Sequence, residues 1–322
     1  MNKGLVSIIT PCYNVEKVVH RYLNSILSQT YKKIELILVN DGSTDKTEEI
    51  LLSYKSIFES QGIIFKYIYQ ENKGLGGAIN TGLKYFTGEY LCWPDPDDIL
   101  YPQSIEKKLI FLQENLEYGC VTSDANMYYE DDLINPIKKI SSIYEYNNEE
   151  NQFLYLLLGK SIFCSGCHMV RSSAFLDVNP NRDIFEARRG QNWQMLLPIY
   201  YKYKRGFIDE PLYNYIVYKR SMSSGDDTKE KKIIRENGCL EIIKNTLERM
   251  DITDKENSKY YNIFYGDYIK KMFFIASDFN DVKLALNYYK LALKNNVIIE
   301  DSLIILLKLI IKSILPVKQE KN

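Results

Sequence analysis

The sequence predicts an α/β fold, a mostly parallel sheet flanked by helices and followed by a smaller all-helical region. Three observations carry that expectation. Over the first hundred residues, short β-branched runs alternate with segments whose apolar residues recur at helical spacing. Each run ends in a cluster of polar residues, glycine or proline. Beyond Gly225 the helical spacing continues and strand signals cease. The expected domains are therefore residues 1–225 and a helical region, residues 226–322.

Leu5–Thr10 ends at Pro11 and reads as a buried strand. In the next segment, Val15–Gln29, apolar residues at Val15, Val18, Val19, Tyr22, Leu23, Ile26 and Leu27 define one helix face. Ile34–Val39 is a second strand. Asn40–Asp45 then breaks the chain, with Ser43 or Thr44 expected to cap a helix running to about Gln61. Ile63–Tyr69 gives a third strand, Leu75–Phe86 a helix, and Tyr90–Trp93 a fourth strand. A helix over Pro102–Leu116 and a strand over Gly119–Ser123 follow. Asn126–Asn151, acidic and rich in tyrosine, is expected to be an irregular surface excursion. Such alternation implies right-handed crossovers, and ligands of such sheets bind beyond the carboxyl ends of the strands.

The composition narrows the function. The 322 residues carry 41 Lys+Arg against 42 Asp+Glu, a formal charge of −1, so no excess positive charge exists to neutralise nucleic-acid phosphates. The 27 tyrosines against 2 tryptophans suit surfaces that stack on rings, although a low-GC genome gives the same bias. Cys12, Cys92 and Cys120 sit in apolar runs and read as buried hydrophobes. Cys164-Ser-Gly-Cys167 precedes His168, but a structural zinc site needs four ligands and the other histidine is His20, so a reduced pair without metal is expected. Met1–Gly4 runs into six apolar residues, too short for a signal peptide, and no stretch reaches the ~18 apolar residues of a membrane span. The expected location is cytoplasmic. Residues 302–315 form an almost wholly apolar segment with Lys308 and Lys312 one helical turn apart and Lys318 and Lys321 beyond it. It reads either as a core helix or as a helix lying on the inner membrane surface.

The strongest chemical signal is Trp93-Pro-Asp-Pro-Asp-Asp98, directly after the fourth strand. Three carboxylates on one turn repel one another unless a cation is present. Hard divalent ions such as Mg²⁺ take one or two carboxylates and complete their shell with phosphate oxygens. Pro11-Cys-Tyr-Asn14 and Asn40-Asp-Gly-Ser-Thr-Asp45 open on the same sheet edge, where Tyr13 can stack on a base and Asp41 can accept an N–H from a uracil-like edge. Asn72-Lys-Gly-Leu-Gly-Gly77 has glycines that permit close approach, and Lys73 offers a cation to a phosphate.

Val6–Asn14, Ser25-Ile-Leu-Ser-Gln-Thr-Tyr31, Glu35–Asp45 and Gly88–Asp98 together resemble the family 2 glycosyltransferases, with a weaker likeness continuing to Ser224. The resemblance implies a GT-A fold, a nucleotide-sugar donor, often a UDP-sugar, and inversion at the anomeric carbon by a hexosyltransferase type of enzyme. By motif match, Pro11, Tyr13 and Asp41 belong to the base site, Asp95 to the ribose or sugar, and Asp97 with Asp95 to Mn²⁺ or Mg²⁺, beside Asp98. The acceptor implied is a glycan or lipid-linked chain of cell-surface polysaccharide synthesis.

Two stretches depart from the family pattern. Where members carry a Glu-Asp pair whose Asp deprotonates the acceptor, Gln191-Asn192 stands here, and an amide is no general base. The base then lies at Glu186, with Asp183 and Asp124 as alternatives; Asn192 and Asp98 are expected to join Glu186 in catalysis, while Gln191, Asn192 and Trp193 form an acceptor patch that His168 could touch. A chain that binds donor without transfer is the competing reading. Tyr218 occupies the place of a metal-binding histidine, and Lys219 and Arg220 are expected to face the diphosphate leaving group.

Overall fold

The computed structural model describes residues 1–219 and 225–314. The chain forms two compact units, the first Met1–Lys219 and the second built from the described residues after it.

The first unit begins with β1 (Asn2–Cys12), α1 (Val19–Leu27), β2 (Ile34–Asp41), α2 (Thr47–Ser53), α3 (Lys55–Ser60), β3 (Ile64–Gln70), α4 (Gly74–Tyr85) and β4 (Gly88–Cys92). It continues with β5 (Ile99–Leu100), α5 (Ser104–Glu114), β6 (Tyr118–Tyr129), β7 (Lys138–Lys139), α6 (Phe153–Leu157), β8 (His168–Arg171), α7 (Ser172–Val178), α8 (Gln191–Lys202) and β9 (Lys204–Val217). The strands form one sheet in the order β3-β2-β1-β4-β8-β6-β9-β5, with β7 on β6. β1 lies between β2 and β4, and β3, β2, β1 and β4 are all parallel. Helices cover both faces of this half, so every residue of β2 is buried.

Past β4 the sheet becomes mixed: β8 runs antiparallel to β4 and β6, while β9 runs parallel to β6.

Local differences from the sequence expectation have simple causes. The helix expected to reach Gln61 breaks at Tyr54 into α2 and α3. Its first turn is served by Asp45, whose Oδ1 accepts the Thr47 N–H at 3.0 Å, because Ser43 and Thr44 bond to Asn14 instead. β6 runs on to Tyr129, pairing Asn126–Tyr129 with Asn214–Val217 of β9, so the tyrosine-rich excursion begins as sheet. α1 anchors the chain that leaves the acidic turn. Ser25 Oγ accepts the Leu100 N–H at 3.2 Å, Gln29 Nε2 donates to the Tyr101 carbonyl at 2.8 Å, and Gln29 Oε1 accepts the Ile105 N–H at 3.1 Å.

The second unit contains α9 (Lys229–Arg249), α10 (Asp254–Asp278), α11 (Val282–Lys294) and α12 (Ser302–Ile314). Thr228 and Asp281 cap α9 and α11, and Thr253 with Glu256 forms a capping box on α10. Ile269, Phe273, Ala276, Ala285, Ala292, Leu306 and Leu309 make its core. Among the described residues no helix is long and apolar enough to cross a membrane. Leu315, Lys318 and Lys321 lie outside the described residues.

Candidate functional site

Three loops at the carboxyl ends of β1, β2 and β3 are knitted into one ledge. Asp41, 3% exposed, accepts the Lys73 N–H at 2.8 Å and the Gln70 amide at 2.6 Å, both on Oδ1. Oδ2 accepts no hydrogen bond among the described residues. The Asn72 amide donates to the Asp41 carbonyl at 3.0 Å. Gly42 follows at φ +70°, and a Cβ there would stand 2.8 Å from the Asn72 nitrogen, so the turn requires glycine. Asn14, at φ 52°, donates its N–H to Ser43 Oγ at 3.0 Å and accepts the Thr44 N–H at 2.8 Å. Pro11 is buried within β1 opposite Val39, whereas Tyr13 is 50% exposed and Lys73 is exposed.

The acidic turn leaves β4, adjacent to β1 on the same sheet edge. Asp98 is buried and accepts the Ile216 N–H at 2.7 Å, tying the turn to β9 rather than opening toward a ligand. Burial, then the neighbouring Asp97, pushes the Asp95 carboxyl up to about 7, although Ser165 donates its hydroxyl to Asp95 Oδ2 at 2.6 Å. Burial raises the Asp97 carboxyl as well, and the Arg21 guanidinium works against that rise. Tyr218 donates to the Asp97 carbonyl at 2.9 Å, and Arg21 Nη2 donates both to Tyr218 and, at 3.4 Å, to the same carbonyl.

These oxygens fit a hard divalent ion. The Asp95 carboxyl, raised first by burial and then by Asp97, is where a cation would relieve the repulsion. Among the described residues no group of three or more His, Cys, Asp or Glu side chains is suited to a metal. Two carboxylates would therefore leave the remaining positions to phosphate and water.

The residues expected on the acceptor side divide. Asn192 is 3% exposed, its Oδ1 accepting the Trp93 indole N–H at 2.7 Å and its Nδ2 donating to the Phe163 carbonyl at 2.7 Å. Its amide is spent inside the fold, which corrects the expectation of a catalytic Asn192. His168 is fully buried, stacked on Trp93 with ring centroids 6.3 Å apart, and Nδ1 meets Thr122 Oγ1 at 3.0 Å. It reaches no surface from which an acceptor could be touched, and burial drives its pKa well below the usual imidazole range. Trp193 is half-buried and donates its indole N–H to the Leu156 carbonyl at 2.8 Å, which anchors α8 to α6; Gln191 beside it is buried.

Glu186 is exposed on a segment fastened to α4. Gly76 donates its N–H to the Ala187 carbonyl at 2.9 Å, and Asn80 pairs with the backbone of Ile184 at 2.9 and 2.7 Å. Gly76 of the third loop thus serves a backbone–backbone contact. Asp183 precedes this strap, its carbonyl held by Asn179 at 2.9 Å. Asp124 is fully buried and accepts the Ser141 N–H at 2.9 Å and hydroxyl at 2.6 Å, so it organises a loop and is no base for a ligand. Lys219 pairs with Asp131 at 2.9 Å on the exposed surface, not with an approaching phosphate. Arg220 lies outside the described residues.

Two contributors escaped the sequence reading. Ser165 sits inside the Cys164–Cys167 spacing, whose thiols are free and buried, and nothing in the spacing marks its hydroxyl as the partner of Asp95. Arg21 lies on α1, far in sequence from the acidic turn it holds, and its only signal was a cation breaking an apolar helix.

The comparisons with known proteins bear on the family and the fold. The profile described as Glycosyl transferase family 2 matches residues 7–178, more than half of the chain. A glycosyltransferase of Rickettsia typhi is 47% identical over 110 residues, covering 34% of this chain and 32% of the relative. The chain thus spans about a third of that relative's length. The Bacillus subtilis glycosyltransferase EpsE is 30% identical over 216 residues, 66% of this chain and 73% of EpsE. Among solved structures, S. aureus TarS 1–349 in complex with UDP superposes with a TM-score of 0.60 at 17% identity, covering 90% of this chain and 88% of that one. A mannosyltransferase from Pyrobaculum calidifontis in complex with GDP-Man and Mn²⁺ gives a TM-score of 0.52 at 14% identity, covering 96% and 86%. At those identities the structures speak for the fold, GT-A. With the profile across most of the first unit and EpsE matched along most of its own length, the chain belongs to glycosyltransferase family 2.

Proposed function

We propose that the chain moves a sugar from a nucleotide-sugar donor, a UDP-sugar, to a glycan or lipid-linked acceptor in cell-surface polysaccharide synthesis, with inversion at the anomeric carbon. The reaction is placed at the cytoplasmic face of a membrane. The observation that carries the reading is the convergence, at the carboxyl ends of the two strands that flank β1, of the Asp41 ledge after β2 and the Asp95–Asp97 turn after β4. The UDP bound by TarS and the GDP-Man and Mn²⁺ bound by the Pyrobaculum enzyme support a nucleoside diphosphate and a divalent ion.

In this mechanism the exposed Tyr13 ring stacks on the base, and Asp41 Oδ2 accepts a base N–H. Lys73 approaches the phosphates, and Asp95 takes a ribose or sugar hydroxyl. Asp97 and Asp95 would hold Mn²⁺ or Mg²⁺, which supplies Lewis acidity toward the leaving diphosphate. Glu186 takes the proton of the acceptor hydroxyl as its oxygen attacks the anomeric carbon and the bond to the diphosphate breaks on the opposite face. Gln191 and the Trp193 ring border the acceptor.

The test is a panel of nucleotide sugars assayed for UDP, GDP or CMP release with and without divalent cation. UDP with Mn²⁺ at a hundredfold its Kd should add about 2.7 kcal/mol, several degrees of melting shift. No shift with any nucleoside diphosphate would overturn the donor site. Glu186→Gln should silence transfer and keep the UDP shift; full activity would move the base to Asp183. Because Asn192 is spent on Trp93 and Phe163, a donor-binding chain without transfer is the second reading. A shift with UDP but no release from any sugar would favour it.

A further inference from the structure

We propose that the outer face of α12 docks on the anionic lipid surface of a membrane. Leu303, Ile304, Leu307 and Ile311 are 61%, 53%, 59% and 55% exposed, while Ser302, Leu306 and Leu309 on the other side are buried in the core of the second unit. At 3.6 residues per turn the four exposed side chains fall within an arc of about 100°. Lys308 and Lys312, both exposed, occupy roughly the next 80°. Ile298, 79% exposed in the loop that enters the helix, adds to the apolar surface.

The pattern has three sectors: a core side, a bare apolar stripe, and a basic flank. An interfacial helix buries such a stripe among acyl chains and leaves its lysines at the headgroups. The helix has 13 residues, so it lies in the interface and does not span it. A second copy of the chain is a poor match on area. Thirteen residues extend ~20 Å, and a stripe ~10 Å wide offers on the order of 200 Å², against roughly 800 Å² per partner in a stable interface. Charge points the same way. Lys308 and Lys312 run along the stripe through its later turns, while the exposed Glu300 and Asp301 sit at the helix entry, so the cations beside the apolar residues favour an anionic surface there.

The surface does not rest on the donor-site reading, and its test needs no nucleotide. The full chain is co-sedimented with phosphatidylglycerol-containing vesicles and with phosphatidylcholine vesicles. Binding to the anionic vesicles, weakened by salt, is expected. Leu307→Glu with Ile311→Glu should reduce it at least tenfold without lowering the melting temperature, since both positions are exposed. Lys308→Gln with Lys312→Gln should cost about fivefold per lysine, equivalent to ~1 kcal/mol each, on anionic vesicles only. Failure of the wild type to bind at low salt, or unchanged binding by the double glutamate variant, overturns the proposal. A concentration-dependent dimer that the glutamates abolish, with no vesicle binding, also overturns it in favour of a second copy.

Discussion

The Gly76 N–H donates to the Ala187 carbonyl at 2.9 Å, and a Cβ on Gly76 would stand 2.7 Å from the Ala187 nitrogen. No flexible side chain can yield here, because the Phe185 and Ala187 carbonyl oxygens crowd the same point at 3.0 Å. Gly76→Ala should cost about 1–3 kcal/mol, the usual penalty of overpacking. The displaced segment carries Glu186, so turnover should fall more than UDP affinity. Gly238→Ala is the control: nothing lies within 4 Å of that site inside α9, and alanine there should stabilise by up to ~1 kcal/mol. Melting curves with UDP titration read both outcomes, and a Gly76→Ala chain that melts like wild type would contradict the strap.

The buried His168 and the half-buried Asp95 give opposite pH dependences. His168 is neutral in the fold because burial drives its pKa down, whereas in the unfolded chain the imidazole titrates near ~6.5. Below that pH the unfolded chain binds a proton that the folded chain does not. The associated stability is therefore complete above ~6.5 and lost at about 1.4 kcal/mol per unit as pH falls. Asp95 runs the other way. With a folded value of about 7 and an unfolded value near ~3.9, it costs the fold stability as pH rises between them. Subtraction separates the two: from pH 6.5 to 5.5 the wild type should lose about 1 kcal/mol relative to His168→Gln. Urea unfolding at the two pH values measures it, and a constant gap would mean that the imidazole is protonated in the fold.

The parallel half of the sheet was legible because its runs are short, apolar and punctuated, and Asp41, Asp95 and Asp97 were legible because each follows such a run. What the sequence hid is tertiary. Asn192 looked like a damaged catalytic position, yet its amide has both hydrogen bonds filled by Trp93 and Phe163, partners 99 and 29 residues away. The third loop's glycines looked like a phosphate cradle, whereas Gly76 makes room for backbone. Lys219 looked free for a leaving group, but Asp131 sits across the β6–β9 pair from it. Residue type told which groups had chemistry; only the folded neighbours told which were already engaged.

That engagement makes a prediction about restoring the acid. Asn192→Asp keeps an acceptor for the Trp93 indole but turns a carboxylate oxygen toward the Phe163 carbonyl, where an N–H now donates at 2.7 Å. Two acceptors facing each other in a buried site should cost about 1–3 kcal/mol. The variant should melt lower and transfer no faster than wild type. An increase in UDP release would mean that position 192 reaches the acceptor after all.

The acidic turn is gripped from outside by Arg21 and Tyr218, which both address the carbonyl of Asp97. Tyr218→Phe removes the stronger bond, 2.9 Å, and leaves the carbonyl with the 3.4 Å contact from Arg21. Tyr218 is only partly buried, so water can replace its hydroxyl, and the stability loss should be about 1 kcal/mol. The direction of the Asp97 carboxylate depends on that backbone, so the Mn²⁺-dependent part of the UDP melting shift should weaken severalfold. The metal-free part, carried by the Tyr13 and Asp41 ledge, should stay as it was. Arg21→Gln distinguishes orientation from charge: it keeps an N–H for the carbonyl but removes the cation that stabilises ionised Asp97. If orientation dominates, Arg21→Gln should preserve most of the Mn²⁺ response that Tyr218→Phe loses. Overlaid Mn²⁺ titrations for Tyr218→Phe and wild type would mean that the clamp has no bearing on how the turn holds an ion.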